Sequence, residues 1–478
     1  MGKRPFKVII VGGSISGLTL AHCLDRAGID YVVLEKHHDI HPQLGASIVI
    51  FPNGGRILEQ LGMFRQIEEL SQKFSRIHSC FPGGFYYDND APKKIKDMFG
   101  LQFTILERRQ VLQVLYSELR DKTRVHAGRN VAHISPTDSG VSVTTEDGTQ
   151  YDGDLVVGAD GVHSVVRSEM WRIADLQQPG LISQKEKSSM TVEYICIFGI
   201  SNSIPGVKYW DHVIRYNSNV TLLVFPGTEN GVFWLLIQRL DQKYTYPNVP
   251  RFGKEEAVAR CESLADLAVW EEVRFGDIWE QRRTFHMTAL EEGLLDRWNY
   301  GRMVCIGDSV SKITPNQGQG ANTAIEAAAG LANVLHALTQ EPNGERPSEG
   351  EITHLLEQFN RTQHRRLLGV HQAARLVTRL ESFDGLANYI FARYVAPRCG
   401  DLTVAGIARV STSGPVLDYI PLTERSGKYW TTVAARTTWK SNLAYPVTKA
   451  LVNYGTVLFP IACLWLSYSV VAPRFLQW

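Results

Sequence analysis

The chain has 478 residues, of which 44% are hydrophobic and 21% are charged, so it can bury a large core in two to three domains. Its formal net charge is only +1 and no block of lysine or arginine occurs, so the charge gives no indication of a nucleic-acid partner. The seven cysteines are an odd number without a C-x-x-C pair, which favours reduced thiols over a disulfide framework or a zinc site.

The N-terminal region predicts a strand, a glycine turn, a helix and a second strand. Residues 8–11 are a continuous apolar run, typical of a parallel strand that is covered on both faces. This run enters a glycine turn instead of a cleavage region, so it does not resemble a signal peptide. We expect a helix from Leu18 to Ala27 and a strand at 31–34. The pattern is a βαβ unit, the context in which dinucleotide-binding turns occur.

The turn in this unit is an imperfect version of the G-x-G-x-x-G motif. Gly12 and Gly17 stand at two of the glycine positions, and Ser14 stands at another. Serine is small enough to let the backbone approach a diphosphate, and its hydroxyl can donate a hydrogen bond. Glu35 follows the second strand, where an acid binds the ribose of such a cofactor. The turn and the acid together predict a dinucleotide site, although Glu35 alone would be an ordinary surface glutamate.

Further elements follow in the middle of the chain. A helix is expected within 101–119, and Arg108 precedes it as a candidate ligand for an anionic group or as a surface arginine. Residues 141–152 read as a hairpin around a D-G turn. The buried strand at 155–157 runs directly into Asp160. Alternating segments between 185 and 290 then predict a mostly antiparallel sheet.

A glycine-rich segment follows a short apolar strand at 303–306. Asp308 comes directly after the strand, and Gly318 and Gly320 precede an alanine-rich helix that begins near Ala321. Glycine permits close approach of the backbone to a ligand, and the first turn of a helix offers free N–H groups to an anion. The segment therefore predicts a second part of the same binding site.

The C-terminal region is uncharged between Lys449 and Arg474. About 20 apolar residues suffice to cross a bilayer, so residues 448–473 predict a transmembrane anchor and a single-pass membrane protein with a cytosolic catalytic domain. Asn453, Gly455 and Pro460 interrupt the run, which leaves a buried hairpin or a hydrophobic terminal helix as the alternative.

These motifs, in this order, resemble those of the FAD-dependent aromatic hydroxylases, whose prototype is para-hydroxybenzoate hydroxylase. The resemblance covers about residues 5–385, and the segments 45–48, 52–54 and 314–320 look similar to membrane-associated epoxidases of fungal meroterpenoid and indole-diterpene pathways. One departure is that Ser309-Val310-Ser311-Lys312 follows the G-D motif, where the aromatic hydroxylases usually have Ala-Ala-His.

The resemblance implies roles for particular residues. Asp308 would bind the ribityl hydroxyls, Arg108 would bind phosphate or ribityl oxygens, and Asp160 would contact flavin and nicotinamide. The loop at 318–320 would follow the isoalloxazine, with the next helix directed at it. The predicted cofactor-binding residues are Gly12, Ser14, Gly17, Glu35, Ala46, Val49, Arg108, Asp160, Asp308, Gly318, Gly320 and Ala321.

The fold class is therefore predicted as α/β: a Rossmann-type FAD-binding domain with an inserted, mostly antiparallel substrate-binding sheet and a C-terminal hydrophobic helix. The sequence offers no second G-x-G-x-x-G motif, so NADPH or NADH would bind only transiently as electron donor. The predicted domains are the FAD-binding parts 1–184 and 291–395, the substrate sheet 185–290, a helical region 396–447 and the anchor 448–473.

The predicted function is an FAD-dependent monooxygenase that transfers one oxygen atom from O₂ to a lipophilic, prenylated or terpenoid substrate. An alkene would be epoxidised in secondary metabolism, whereas an electron-rich ring would be hydroxylated. Tyr216, or second to it Tyr194, would position the substrate, and no metal is expected. The alternatives are an FAD oxidase or dehydrogenase without oxygen insertion and a non-catalytic flavin-binding membrane scaffold.

Overall fold

The computed structural model describes residues 5–42, 47–204, 211–227, 230–340, 346–423, 425 and 430. The chain divides into two units, Met1–Lys428 and Tyr429–Trp478, and the elements below belong to the first unit. The strands in chain order are β1 Lys7–Val11, β2 Asp30–Glu35, β3 Ser47–Ile50, β4 Arg76–Cys80, β5 Tyr86–Asn89, β6 Thr104–Glu107, β7 Val125–Ala127, β8 Val131–Thr137, β9 Gly140–Thr145, β10 Gln150–Gly153, β11 Leu155–Gly158, β12 Thr191–Ser201, β13 Asp211–Asn217, β14 Val220–Pro226, β15 Val232–Thr245, β16 Ala268–Trp270, β17 Val273–Arg274, β18 Arg282–Leu294, β19 Asn299–Tyr300, β20 Met303–Cys305 and β21 Ser311–Lys312.

Residues typical of helix caps mark the ends of two of the helices. The first helix ends at Gly28, whose φ of 70° is left-handed and favours glycine. The longest begins with a capping box in which Ser348 and Glu351 satisfy each other's backbone N–H groups. In chain order the helices are α1 Ile15–Ala27, α2 Pro52–Gln60, α3 Phe64–Leu70, α4 Ala91–Phe99, α5 Arg108–Ser117, α6 Val165–Gln177, α7 Gln184–Lys187, α8 Lys254–Ser263, α9 Phe275–Glu280, α10 Gly320–Thr339, α11 Glu349–Glu381, α12 Leu386–Ile390 and α13 Leu402–Ser413.

A six-stranded sheet carries the predicted βαβ unit. Its strand order is β19-β20-β11-β1-β2-β7, and β1 pairs in parallel with β2 on one side and with β11 on the other. The predicted strands at 8–11, 31–34 and 155–157 are confirmed, and α1 begins at Ile15 instead of Leu18. Ligands of such sheets bind beyond the carboxyl ends of the strands, where strand order changes direction. The turns after β1, β2 and β11 meet at that edge.

An eight-stranded sheet forms the second layer of the unit. Its order is β21-β18-β12-β15-β14-β13-β4-β5, and its pairs are antiparallel except that β13 and β4 are parallel. The mostly antiparallel sheet predicted for 185–290 is thus present, but it also contains β4 and β5 from earlier in the chain. The sequence did not predict this because β4 joins β13 across a long separation.

The two faces of this sheet have different neighbours. On β14, Leu222 and Val224 pack into an apolar core with α8 and α9, whereas Leu223 and Phe225 face a cavity. Successive side chains of a strand point to opposite faces, so the apolar run on β14 serves a core and a cavity at once. Helix α10 packs against α1 and α2 behind the other side of the cavity.

The predicted membrane anchor requires a correction. Within the described part of the chain, no helix combines the length and the apolar character needed to cross a bilayer. This finding contradicts the predicted single-pass membrane location, and it does not support the predicted C-terminal hydrophobic helix. The longest described helix, α11, carries charged residues along its length, and the uncharged segment 448–473 lies outside the described residues.

Candidate active site

A cavity of about 1160 Å³ lies where the two sheets and α10 meet. A pocket for one drug-sized ligand typically measures about 300–1,000 Å³, so this cavity has room for a cofactor and a second ligand. Its lining is of two kinds. Glycine turns and charged side chains come from the six-stranded sheet and its loops, and apolar side chains come from the eight-stranded sheet and α11.

The glycine turn after β1 is packed too tightly for side chains. Gly12 has a φ of 105°, and a Cβ atom there would lie 2.4 Å from the carbonyl oxygen of Ala159. A Cβ atom on Gly17 would lie 1.9 Å from the carbonyl oxygen of Gly12. Ser14 precedes α1 without capping it, and its Oγ accepts a 2.8 Å hydrogen bond from Arg108 Nη2. The turn therefore leaves α1 directed at the cavity with a cation beside it.

Glu35 is held at the wall of this cavity by two backbone groups. Its Oε2 accepts a 2.7 Å hydrogen bond from Gly13 N, and its Oε1 accepts a 2.9 Å bond from His37 N. A carboxylate has about four acceptor positions, so both oxygens keep capacity for a hydroxyl donor. The arrangement fixes the acid beside the glycine turn, as binding of a ribose requires.

Arg108 is the first residue of α5 and lines the same cavity as Glu35. Burial lowers the pKa of the Arg108 guanidinium, and the nearby charges of Asp308 and Glu35 oppose that shift. A guanidinium presents several donors in one plane and binds phosphate oxygens in pairs. The position suits an anionic group that would spread between α1 and the Asp308 turn.

Asp308 forms an ion pair with Lys312 of β21 through Oδ2 and Nζ. Burial alone would lower the pKa of Lys312, but the charge and the hydrogen bond of Asp308 outweigh burial and raise it. Lys312 also lines the cavity. Lys312, one of the residues that depart from the pattern of aromatic hydroxylases, thus places an ammonium group beside Asp308, the predicted ligand of the ribityl chain.

Asp160, which follows β11, holds the start of α6 through hydrogen bonds. Its carboxylate accepts hydrogen bonds from Ser164 Oγ at 2.5 Å, Val165 N at 2.7 Å and Val166 N at 3.1 Å. Burial raises the pKa of Asp160, and these hydrogen bonds oppose the rise. The side chain therefore stabilises the start of α6 and also lines the cavity. Its predicted contact with flavin and nicotinamide stays a prediction.

The loop before α10 is fastened to β3 by a residue that the sequence analysis did not identify. Asn322 Oδ1 accepts a 2.9 Å hydrogen bond from Phe51 N, and its Nδ2 donates to the carbonyl oxygens of Val49 and Gly318. Gly318 has a φ of 62°, and a Cβ atom there would lie 2.9 Å from the Phe51 ring. The network fixes the loop across the cavity from the glycine turn.

The remaining predicted cofactor residues belong to this loop region. Gly320 and Ala321 line the cavity at the first turn of α10, and Val49 lines it from β3. Ala46 lies outside the described residues. Because Asn322 bonds α10 to the loop and to the β3 segment, these residues form one connected wall of the cavity.

The second end of the cavity is an apolar chamber. His212 lines this chamber as a neutral ring, because burial lowers its pKa to about 4. Its Nδ1 donates a 2.9 Å hydrogen bond to the Val224 carbonyl oxygen. Its ring stacks on Phe225 with a centroid distance of 3.8 Å. The apolar side chains of the chamber include Phe74, Ile77, Phe103, Ile214, Leu223, Leu235, Leu376, Val377, Leu380, Phe391 and Ile407.

The two candidate tyrosines occupy different surroundings. Tyr216 lines the chamber, stacks on Phe81 with a centroid distance of 4.5 Å, and forms hydrogen bonds with Ser79 and Tyr87. Burial raises the pKa of Tyr216 well above its ordinary value, so the phenol stays neutral.

Tyr194 is fully buried outside the cavity lining. Its hydroxyl lies 3.3 Å from Ser382 Oγ and donates a 3.2 Å hydrogen bond to Asp384 Oδ2. Of the two tyrosines, only Tyr216 lines the cavity, so only its hydroxyl is placed to meet a ligand there.

The polar end of the cavity fits flavin adenine dinucleotide. The glycine turn brings backbone without side chains to the wall of the cavity, Glu35 is held for a ribose, and the buried Arg108 guanidinium suits a diphosphate. Asp308 offers acceptor oxygens to ribityl hydroxyls, and the loop that ends at Gly318 offers a wall for the ring.

Comparisons with known proteins agree with this geometry. Residues 5–350 match the family model of an FAD binding domain. FAD-dependent monooxygenase ctvC of Aspergillus terreus is 55% identical over 471 residues, which are 98% of this chain and 98% of ctvC. FAD-dependent monooxygenase aurC of Calcarisporium arbuscula is 52% identical over 430 residues, which are 90% and 89% of the two chains. The chain belongs to this family of FAD-dependent monooxygenases.

A solved structure supports the fold. HpxO of Klebsiella pneumoniae, determined with FAD and uric acid, superimposes with a TM-score of 0.68 at 19% identity, over 86% of this chain and 97% of HpxO. At that identity the likeness shows the fold alone. The predicted resemblance to FAD-dependent hydroxylases is confirmed, and FAD is the cofactor of the family.

Proposed function

We propose that this FAD-dependent monooxygenase transfers one oxygen atom from O₂ to an alkene of a lipophilic, prenylated or terpenoid substrate and so forms an epoxide in fungal secondary metabolism. The observation that carries the proposal is that one cavity contains both the FAD-binding groups and the apolar chamber. A substrate in the chamber would therefore reach the edge of the flavin without crossing water.

In this proposal the residues of the polar end hold the cofactor. Glu35 binds the adenosine ribose, Arg108 and the first turn of α1 bind the diphosphate, and Asp308 binds the ribityl chain. When bound, FAD supplies the chemistry of electron transfer from NADPH or NADH and of O₂ activation. The ammonium of Lys312, paired with Asp308, adds positive charge beside the flavin site.

The chamber performs the remaining tasks through its walls. Aromatic and aliphatic side chains exclude water from the reacting carbon, and they bind a hydrocarbon body by burial of apolar area. Tyr216 remains a neutral phenol at physiological pH, so it can donate a hydrogen bond to an oxygen atom of the substrate. It acts as a positioning group, since transfer of oxygen to an alkene needs no nucleophilic side chain.

An apolar chamber favours an alkene over a polar ring. Ring hydroxylation is assisted when a base removes the proton of a phenol. His212 of the chamber is a weak base, because burial lowers its pKa to about 4 and its Nδ1 already donates to a carbonyl group. The aromatic hydroxylase and the oxidase remain the alternative functions within the same fold.

A substrate panel tests the proposal. The purified holoenzyme would be incubated with NADPH and with arenes that carry a prenyl or farnesyl chain, so that each molecule offers both a ring and alkenes. We expect products with one added oxygen on the chain, trapped by a thiol as the ring-opened adduct. A phenol product would support the hydroxylase, and desaturated products without added oxygen would support the oxidase. Tyr216→Phe should raise KM, whereas Tyr194→Phe serves as the control outside the cavity.

A further inference from the structure

Glu381 is a buried carboxyl group in the wall of the cavity. It is the last residue of α11, its exposed fraction is only 4%, and Leu380 beside it also lines the chamber. A negative charge at the C-terminus of a helix is unfavourable, because the free carbonyl groups there already carry partial negative charge. Both its burial and its place on the helix therefore favour the protonated form.

The carboxyl group is oriented by the loop that precedes α10. Asn316 Nδ2 donates a 2.5 Å hydrogen bond to Glu381 Oε2. The amide of Asn316 is itself oriented by Thr378, whose Oγ1 lies 2.8 Å from Asn316 Oδ1. Because this contact uses only Oε2, Oε1 is left as the position for a proton. The carboxyl group is thus anchored at the boundary between the flavin loop and the chamber.

Among the residues that the structure describes, the groups around Glu381 do not supply a compensating positive charge. Tyr216 of β13 and Tyr87 of β5 are near enough for the charge of Glu381 to raise their pKa values, and both line the same cavity. Cys399 lines the cavity as well, and burial raises the pKa of its thiol. The charged side chains of the neighbouring segments have other contacts: Arg379 pairs with Glu193 and Glu292, Asp384 pairs with Arg239, and Arg393 lies over the Phe85 ring.

Because Glu381 is buried and the described residues place no cation beside it, its pKa is raised. Burial raises the pKa of Glu381 to about 8, and the hydrogen bond from Asn316 opposes the rise. At neutral pH the side chain is therefore a carboxylic acid, which donates one hydrogen bond.

We propose that Glu381 is a substrate-binding residue, and that it donates a hydrogen bond to an accepting oxygen, such as a carbonyl, on an otherwise apolar substrate. The inference rests on the proposed function and narrows its substrate class: the hydrocarbon body lies in the chamber, and the oxygen function lies at the end of α11. Deprotonation would replace the donor by an anion that repels the carbonyl oxygen, so binding of such a substrate should weaken as pH rises through about 8.

A pair of probes tests this proposal. The probes are a farnesylated aryl methyl ketone and the same molecule with its carbonyl replaced by a methylene group. Dissociation constants for the holoenzyme would be measured from the change in flavin fluorescence, at pH values well below and well above 8. We expect the ketone to bind about tenfold more tightly than the methylene probe at the lower pH, since a buried donor contributes about that much. The preference should disappear at the higher pH.

Three variants separate a hydrogen bond from a packing effect. Glu381→Gln keeps an N–H donor and should keep the preference for the ketone at both pH values, whereas Glu381→Leu should lose it at both. Glu59→Gln is the matched control, because burial also raises the pKa of Glu59 but its side chain is not part of the cavity lining. This control should behave as the wild type does.

Several outcomes would overturn the proposal. These are equal binding of the two probes to the wild type, a ketone preference that persists in Glu381→Leu, or a loss of preference at high pH that persists in Glu381→Gln. If Glu381→Leu does not retain FAD, the comparison of wild type with Glu381→Gln decides alone. Failure of the proposed function is distinguishable, since oxygen transfer would then be missing with both probes while the binding preference remained.

Discussion

Replacing Gly17 by alanine would test how closely α1 must approach the turn that we propose binds the cofactor. The added Cβ atom would lie 1.9 Å from the carbonyl oxygen of Gly12 and 3.3 Å from Ile10 Cγ2. The nearer atom belongs to the backbone, so no rotation of a side chain relieves the contact. The helix and the turn must separate, and the N–H groups at the start of α1 move away from the diphosphate.

The magnitude follows from the overpacked contact, which costs about 1–3 kcal/mol. The higher helix propensity of alanine is the same with and without FAD, so it changes the free energy of unfolding but not the binding of FAD. Since about 1.4 kcal/mol corresponds to a factor of ten in a dissociation constant, we expect Gly17→Ala to weaken FAD binding by about 5- to 150-fold.

The assay is a fluorescence titration of the flavin-free protein with FAD, together with urea unfolding of the same samples. Gly369→Ala is the matched control, because a Cβ atom there meets no atom within 4 Å in the exposed part of α11. The control should keep the wild-type dissociation constant and gain about 0.5–1 kcal/mol in the free energy of unfolding. Wild-type affinity for FAD in Gly17→Ala would show that FAD binding does not depend on the close contact between α1 and the turn.

Three further predictions concern carboxyl groups of the cavity. Asp308→Asn should purify with little FAD, because it weakens ribityl binding and leaves Lys312 without its ion-pair partner; full flavin occupancy by absorbance would contradict this. Glu35→Gln should weaken FAD binding about tenfold or more. Its amide has only one acceptor oxygen, so it cannot accept from both Gly13 N and His37 N and also bind a ribose hydroxyl. An unchanged dissociation constant would contradict the ribose contact. The free energy of unfolding should fall by at most about 1.4 kcal/mol per pH unit as pH rises from about 4.5 to about 8, because folded Glu381 retains a proton that the unfolded chain loses. Urea unfolding of Glu381→Gln should lack this contribution, and an identical pH slope in both proteins would contradict it.

Most of the residues predicted to bind the nucleotide line one end of the cavity together, because that end is built from local signals. Gly12, Gly17 and Glu35 lie within one βαβ unit, so spacing alone brings them to the same strand ends. Asp308 and Gly318 are similarly marked by a strand that ends in a glycine-rich turn. In each case the motif and the element that carries it are adjacent in the chain.

The substrate end is less predictable because its contacts join distant segments. Asn322 is bonded to Phe51 across 271 positions, and Asn316 is bonded to Glu381 across 65 positions. Nothing in the local pattern of either asparagine indicates these partners. The two tyrosines illustrate the same limit, since both lie in strands, yet only Tyr216 lines the cavity and Tyr194 is bonded to Asp384.

The absence of charge near the C-terminus led to a membrane prediction that the structure contradicts. That prediction depended on the length of an uncharged run at 448–473, which lies outside the described residues. The described helices of the chain include none that meets the length and apolar character of a membrane span.

The most direct test of the account is the origin of the oxygen atom in the product. The holoenzyme would be incubated with NADPH, a prenylated substrate that it turns over, and ¹⁸O₂ in unlabelled water, and the product would be analysed by mass spectrometry. If the enzyme transfers oxygen from O₂ to an alkene, each product molecule will contain one ¹⁸O atom, located on a former carbon–carbon double bond. A product whose added oxygen comes from water, or an oxidised product without added oxygen, would contradict it.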